Sequence, residues 1–151
     1  GHMAKPTPQW GYADGQQVMV VFHGPHTYVS PTWYQEDNVV PTWNYVAVHA
    51  NGIFKASENP AGLEEAVERL THQHEAGQPQ PWQPDFSTDY TKEMLKHIVA
   101  FEIEITSLQG KWKLNQNHPE RRRRLVAEKL KNLGGEINIQ VAGLMDEDMA
   151  G

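Results

Sequence analysis

The stretch Phe22-His-Gly-Pro-His-Thr-Tyr-Val-Ser-Pro-Thr-Trp-Tyr34, followed after a polar connector by Val40-Pro-Thr-Trp-Asn-Tyr-Val-Ala-Val-His-Ala-Asn-Gly52, decides the fold. It sets three histidines, two tryptophans and three tyrosines among β-branched residues. β-branched and aromatic side chains suit a half-buried pleated surface. A strand needs no such density of polar-tipped rings, each of which requires a hydrogen-bond partner once buried. The pattern therefore predicts a pair of strands that forms the wall of a pocket for a flat ligand with polar edges.

Upstream, the turn pair Asp14-Gly15 precedes a short apolar run, and Gln16 to Phe22 is predicted as a buried strand. Thr27 to Tyr34 is predicted as a second strand, broken at Ser30-Pro31 because a strand proline implies an edge or a bulge. Glu36 to Val40 is a connector. Thr42 to Ser57 carries a long strand, with Tyr45, Ala47 and His49 on one face and Val46 and Val48 on the other. Asn51-Gly52 within it signals a turn or bulge.

Downstream, Asn59-Pro60 opens a helix over 61–75, with Leu63, Ala66, Val67 and Leu70 on one face. Residues 76–84 form a loop rich in Pro, Gln and Gly. Ser87-Thr88-Asp89 caps a short helix through His97. From Ile98 to Leu108, Ile98, Ala100, Glu102 and Glu104 alternate with Val99, Phe101, Ile103 and Ile105, as in a sheet with one wet face. Gln109-Gly110 predicts a bend, with an extended Lys111–Leu114 after it. Asn117-His118-Pro119 starts a last long helix through Leu133, ended by Gly134-Gly135. Residues 134–151 are predicted as a tail with one helical turn around Leu144 to Met149. The order predicts a single domain over 1–151, mainly β with peripheral helices (β+α). A small antiparallel barrel is the economical way to hide its edges.

The bulk properties narrow the function. A net charge of −6 does not call for nucleic acid. The absence of cysteine removes disulfides, thiolate metal sites and thiol nucleophiles. No apolar run reaches the roughly 20 residues that span a bilayer, and no signal-peptide pattern is present, so a soluble cytoplasmic protein is the default expectation.

Each chemical motif has a plainer reading beside it. His23-Gly-Pro-His26 offers two imidazoles, but a metal needs further ligands, and a tight structural turn explains the pair more simply. His49 shares a face with Tyr45; most such histidines are satisfied core or interface residues, and the Trp43-Asn44-Tyr45 cluster raises the weight of a ligand wall beside that plainer reading. Lys111-Trp-Lys113-Leu-Asn-Gln116-Asn117 reads either as an anion site, built from two ammonium groups, two amides and a helix start, or as a charged strand end capping the next helix. Arg121 to Arg124 invites a DNA reading, but four consecutive residues surround a helix and form no single basic stripe. Glu120 and Glu128 dilute the charge, and no helix-turn-helix pattern supports it. DNA is thus a possible partner without a motif. Glu102 and Glu104 could work as paired acids, but more simply face water.

These residues carry a resemblance. Gly1-His-Met-Ala-Lys5 with Pro8-Gln-Trp10, Phe22 to His26 with Ser30 to Tyr34, Val40 to Tyr45 with Val48-His49, and Phe101-Glu102 with Lys111 to Asn117 resemble the PaiB family. That family is described as FMN-binding negative transcriptional regulators with a flavin-reductase-like split β-barrel. The resemblance runs from the start to about residue 133 and implies an antiparallel split barrel, a homodimer and a flavin groove at the dimer interface. It implies FMN contacts from Lys5, Lys111, Lys113, Gln116 and Asn117, with Trp43, Asn44, Tyr45 and His49 lining the groove. A related branch binds haem b and includes piperazate synthases, which form an N–N bond. There the Gly-His motif supplies the axial imidazole, so the haem alternative points to His2 or His49, with His2 also among the candidate cofactor contacts. The role is that of a transcriptional or metabolic regulator or of a flavin-dependent oxidoreductase.

The chain departs from the family at three places. Asn115 stands where Ser is usual. Lys5 replaces a common Arg, which keeps the charge but loses the bidentate fork. The first barrel strands of the family are missing, which predicts an unpaired sheet edge. A trimmed chain or a short member that closes by dimerising would both explain this. Gly1-His2-Met3 matches both the family motif and the remnant of a cleaved affinity tag.

Overall fold

The computed structural model describes residues 1–150. Strands β1 (His2–Ala4), β2 (Gln17–Val29), β3 (Thr42–Ser57) and β4 (Ile98–Lys113) form one antiparallel sheet in the order β1-β4-β3-β2. The sheet does not close: β1 and β2 are its two edges. Among the described residues five helices accompany it: α1 (Gln9–Ala13), α2 (Pro60–Glu75), α3 (Asp89–Leu95), α4 (Glu120–Leu133) and α5 (Glu136–Ala150). This is the β+α composition predicted, with an open sheet of the split-barrel kind. The contacts divide the chain into two compact units, one of residues 1–19 and 51–107, the other of residues 20–50 and 108–151.

In the first unit, β1 pairs with β4 in the register His2↔Ala100, Met3↔Val99, Ala4↔Ile98. Neither β1 nor α1 is foreseen from the sequence; three and five residues are too short for a periodic signal. The Asp14-Gly15 turn holds as predicted. Gly15 takes φ +72°, its N–H reaches the Phe54 carbonyl at 2.9 Å, and Asp14 Oδ1 accepts the Ala56 N–H at 2.9 Å. Asn59 caps α2 by accepting the Ala61 N–H, and Thr88 caps α3 by accepting the Thr91 N–H. Leu63, Leu95 and Ala100 form the core here, with Ala66, Val67, Phe86 and Ile98 packed on it. Phe54 and Phe101 stack with centroids 5.0 Å apart.

Three local breaks predicted in the strands do not occur. His23-Gly-Pro-His26 runs straight through β2 rather than turning. Pro25 has no N–H to give a ladder, and an edge strand tolerates that; Gly24 lies under Val46, whose Cβ would stand 3.2 Å from an added side chain. Asn51-Gly52 continues β3 without a turn, and Gln109-Gly110 continues β4 without a bend. The predicted strand Thr27–Tyr34 ends at Val29, and Pro31–Tyr34 forms a 3₁₀ turn in which Ser30 Oγ accepts the Thr32 N–H.

In the second unit the tail is corrected most. Residues 136–150 form a full helix, α5, instead of one turn. Gly134 (φ +68°) and Gly135 (φ +81°) reverse the chain so that α5 packs on α4. Val141, Ala142 and Met145 of α5 join Val29, Tyr34, Leu114, Val126, Ala127 and Leu130 in one core. Ion pairs from Arg123 to Asp148 and from Lys131 to Asp146 (2.6 Å) staple the hairpin.

Candidate functional site

The tract Pro41-Thr-Trp-Asn-Tyr45 opens β3, and Lys111–Lys113 closes β4. The second unit brings the two together. Lys113 Nζ donates to Thr42 Oγ1 at 2.6 Å and stands 5.9 Å from the centre of the Tyr45 ring. Lys113 and Tyr45 are half-buried. Among the described residues neither Lys113 nor Lys111 meets a carboxylate. A partly desolvated ammonium without a counter-ion favours an arriving anion. Trp43 is 52 % exposed. The Tyr28 ring meets it edge-on at 5.9 Å and His26 lies at 6.3 Å. The result is an aromatic surface beside a free cation.

The other predicted contacts separate by structural role. Asn44 is fully buried, and its amide donates to Met145 Sδ at 3.3 Å while Oδ1 has no partner among the described residues. It therefore packs in the core of this unit instead of lining a groove. Gln116 uses both amide atoms on its own backbone, accepting the Leu114 N–H at 2.8 Å and donating to the Trp112 carbonyl at 2.9 Å. It shapes the turn that follows Lys113. Lys111 and Asn117 are exposed, and His49 is half-buried further along β3.

The helix half of the anion reading gains nothing from the structure. α4 begins at Glu120 behind Pro119, with no side-chain cap and an acidic residue in the first turn, so an arriving anion would meet Glu120. In the first unit His2 is exposed on β1, and Lys5 is held by Glu58 at 2.5 Å. A cavity of about 720 Å³ in that unit is lined by Lys55, Arg69, Leu70 and Phe101 among others and by none of the predicted cofactor residues.

The arginine run is fully engaged. Arg121 and Arg122 both hold Glu36, Arg123 holds Asp148 and Arg124 holds Glu120. Arg122 and Arg121 hold the Glu36 carboxyl below its ordinary value. Glu102 and Glu104 are exposed as expected, and Glu104 pairs with Lys55 at 2.7 Å. Among the described residues no group of three metal-ligating side chains forms, and no helix is long and apolar enough to cross a membrane. Sequence reasoning missed Thr42, although it lies within the quoted Pro-Thr-Trp-Asn-Tyr motif. Its role depends on Lys113, 71 positions away.

An open antiparallel sheet carrying a free ammonium and a hydroxyl beside exposed aromatic rings defines a split-barrel protein suited to an anionic, flat cofactor. Comparison with known proteins makes this specific. Residues 1–107 match the family described as "Putative FMN-binding domain". "Protease synthase and sporulation protein PAI 2" of Bacillus subtilis (strain 168) is 36% identical over 151 residues, covering 99% of this chain and 72% of the relative. An uncharacterized protein of Emericella nidulans is 33% identical over 179 residues, covering 97% of this chain and 71% of the relative. One of Aspergillus fumigatus is 33% identical over 152 residues, covering 87% of this chain and 58% of the relative. The chain belongs to the PaiB family of FMN-binding split-barrel proteins, and FMN is its cofactor.

Proposed function

We propose that this protein is a cytoplasmic homodimer in which Lys113 and the Thr42 hydroxyl hold an anionic edge of FMN while Trp43 and Tyr45 pack against its ring. The observation that carries the reading is the half-buried Lys113 ammonium, hydrogen-bonded to Thr42 and free of any carboxylate among the described residues. Such a residue fits a phosphate or another anionic group, whereas Lys5 would first have to leave Glu58. Phe22, Trp43, Leu108 and Trp112 are all large, apolar and at least half exposed in the second unit, which supports a partner surface there. A second copy would turn the open aromatic face into a slot.

FMN, when bound, supplies electron-transfer and hydride chemistry. The residues of this chain bind it, orient it and exclude water from one face. The role we favour is regulation, with flavin as sensor or structural element. That reading is supported by the Bacillus subtilis relative, whose name marks it as a sporulation protein. DNA contact would have to use a surface other than the arginine run, because each of those guanidinium groups already holds a carboxylate.

The test is an absorbance scan of the purified protein titrated with FMN and, separately, with haemin, together with its mass in solution. Flavin bands near ~370 and ~450 nm that remain with a species of twice the chain mass are expected. A Soret band near ~400 nm formed in preference to flavin uptake would replace this reading with the haem alternative, with His2 or His49 as ligand.

A further inference from the structure

We propose that His118 is a proton-sensitive positioning residue for Lys113: its neutral ring completes the stack that fixes the turn after β4, and its protonation loosens that turn and weakens anion binding. The inference rests on the reading that Lys113 faces the anionic edge of FMN.

The turn is fixed at four points within the second unit. Leu114 is fully buried. Gln116 folds onto the Leu114 N–H and the Trp112 carbonyl. The His118 N–H donates to the Asn115 carbonyl at 2.9 Å. Asn115 takes φ +62° and donates its side-chain amide to the hydroxyl of Tyr34 at 2.9 Å. Asn is one of the few residues that adopts this left-handed conformation at little cost.

Tyr34 itself must be held for Asn115 to be held. The His118 ring stacks on it at 5.2 Å and 7°. The Arg122 guanidinium lies 5.8 Å from its centre, and Arg122 also approaches His118 Nδ1 at 3.4 Å. A guanidinium can only donate, so Nδ1 must be the bare nitrogen of a neutral ring whose proton sits on Nε2. A second proton on Nδ1 would set donor against donor and cation beside cation. The charged and titratable groups facing the ring are Arg122 from α4 and Tyr34 from the 3₁₀ turn, and the acid nearest in that network is Glu36, which Arg122 holds. Glu36 is already shared by Arg121 and Arg122 and offers no free anion to an imidazolium.

Burial and Arg122 both hold His118 below the usual histidine range. A histidine depressed in this way contributes stability that is fully present above the ordinary histidine value and is lost as pH falls through the lowered one. The loss is therefore expected as pH falls below the ordinary histidine value of about 6.5.

The experiment uses the full chain. FMN affinity and melting temperature are measured at pH 7.5 and 5.5 for the wild type and for His118→Gln, which keeps an acceptor for Arg122 but cannot take the proton. Affinity of the wild type should fall about fivefold or more at the lower pH, while the variant stays flat. Nuclear magnetic resonance of the wild type should show the backbone amides of Lys113 and Asn115 moving with the His118 titration, at a midpoint below the ordinary value. In Arg122→Gln that midpoint should rise. A His118 titration that leaves those amides still, or the same pH dependence in His118→Gln, overturns the proposal. If the amides follow His118 but no FMN binds at any pH, the coupling stands and the flavin reading of Lys113 is what fails.

Discussion

Gly52 of β3 lies against the Glu104 carbonyl of β4 so closely that a Cβ at position 52 would overlap it, and would stand 2.6 Å from Ile103 Cγ2. A neighbour that is backbone cannot swing away as a flexible side chain can. Gly52→Ala should therefore force the strands apart and cost about 2–3 kcal/mol, the upper part of the range for overpacked positions. Gly11→Ala, in α1 where nothing lies within 4 Å of the added carbon, should be neutral or slightly stabilising. Urea denaturation of both variants tests this; equal midpoints would refute the account of Gly52.

Lys113→Ala should weaken FMN binding by about 1.5–3 kcal/mol, the typical worth of a hydrogen bond to a charged group. Lys111→Ala, from an exposed position, should cost less, because an exposed charge interacts through water and salt. Flavin fluorescence titrations at two salt concentrations separate the two. Unchanged affinity in Lys113→Ala would remove that lysine from the site.

The fold was legible where a pattern was long. β3 is read to the residue, since sixteen positions of β-branched, aromatic and small side chains leave little choice. Along β4 the predicted alternation holds only in part: Val99 and Ile103 are more covered than Glu102 and Glu104, but Ala100, on the face expected to be wet, is buried against Leu63 and Leu95, and Ile105 is half exposed. Local punctuation misled. Gly-Pro at 24–25 reads as a turn because turns are where that pair is common. The edge position of β2 and the closeness of Val46 decide otherwise, and neither is local. α5 was missed because Gly143 and three acidic residues interrupt its apolar positions; its helix comes from packing Val141, Ala142 and Met145 on α4. The aromatic and lysine parts of the site were legible as residue types. The direction each side chain takes was not: Asn44 goes into the core and Gln116 onto its own backbone, while Thr42 gains a role from a partner 71 residues away.

Asn44 yields a prediction of its own. A buried amide oxygen without a partner carries a desolvation cost that no bond offsets. Among the described residues its side-chain bond is to a thioether, a weak acceptor. Asn44→Leu has a similar volume and removes both the orphan and the weak bond, so it should stabilise the protein by about 1 kcal/mol. FMN affinity should change little, because Asn44 is not on the exposed aromatic surface. A large loss of affinity at unchanged stability would return Asn44 to the cofactor site.

Glu36 should set the acid limit of the second unit. Its carboxylate receives Arg121 at 2.6 Å and Arg122 at 2.9 and 2.5 Å. These partners hold it below the ordinary carboxylate value. A depressed carboxylate contributes stability that is present above the unfolded value and is lost as pH falls through the folded one. The loss should appear below about pH 4.5, well under the ordinary histidine value. Once Glu36 is protonated, Arg122 loses its anchor beside Tyr34, and Arg121 and Arg122 repel each other. Glu36→Gln, uncharged throughout, should begin with a lower melting temperature at pH 6 and show a shallower decline toward pH 3. Parallel curves for the two proteins would mean that Glu36 is not the group whose protonation opens this end of α4.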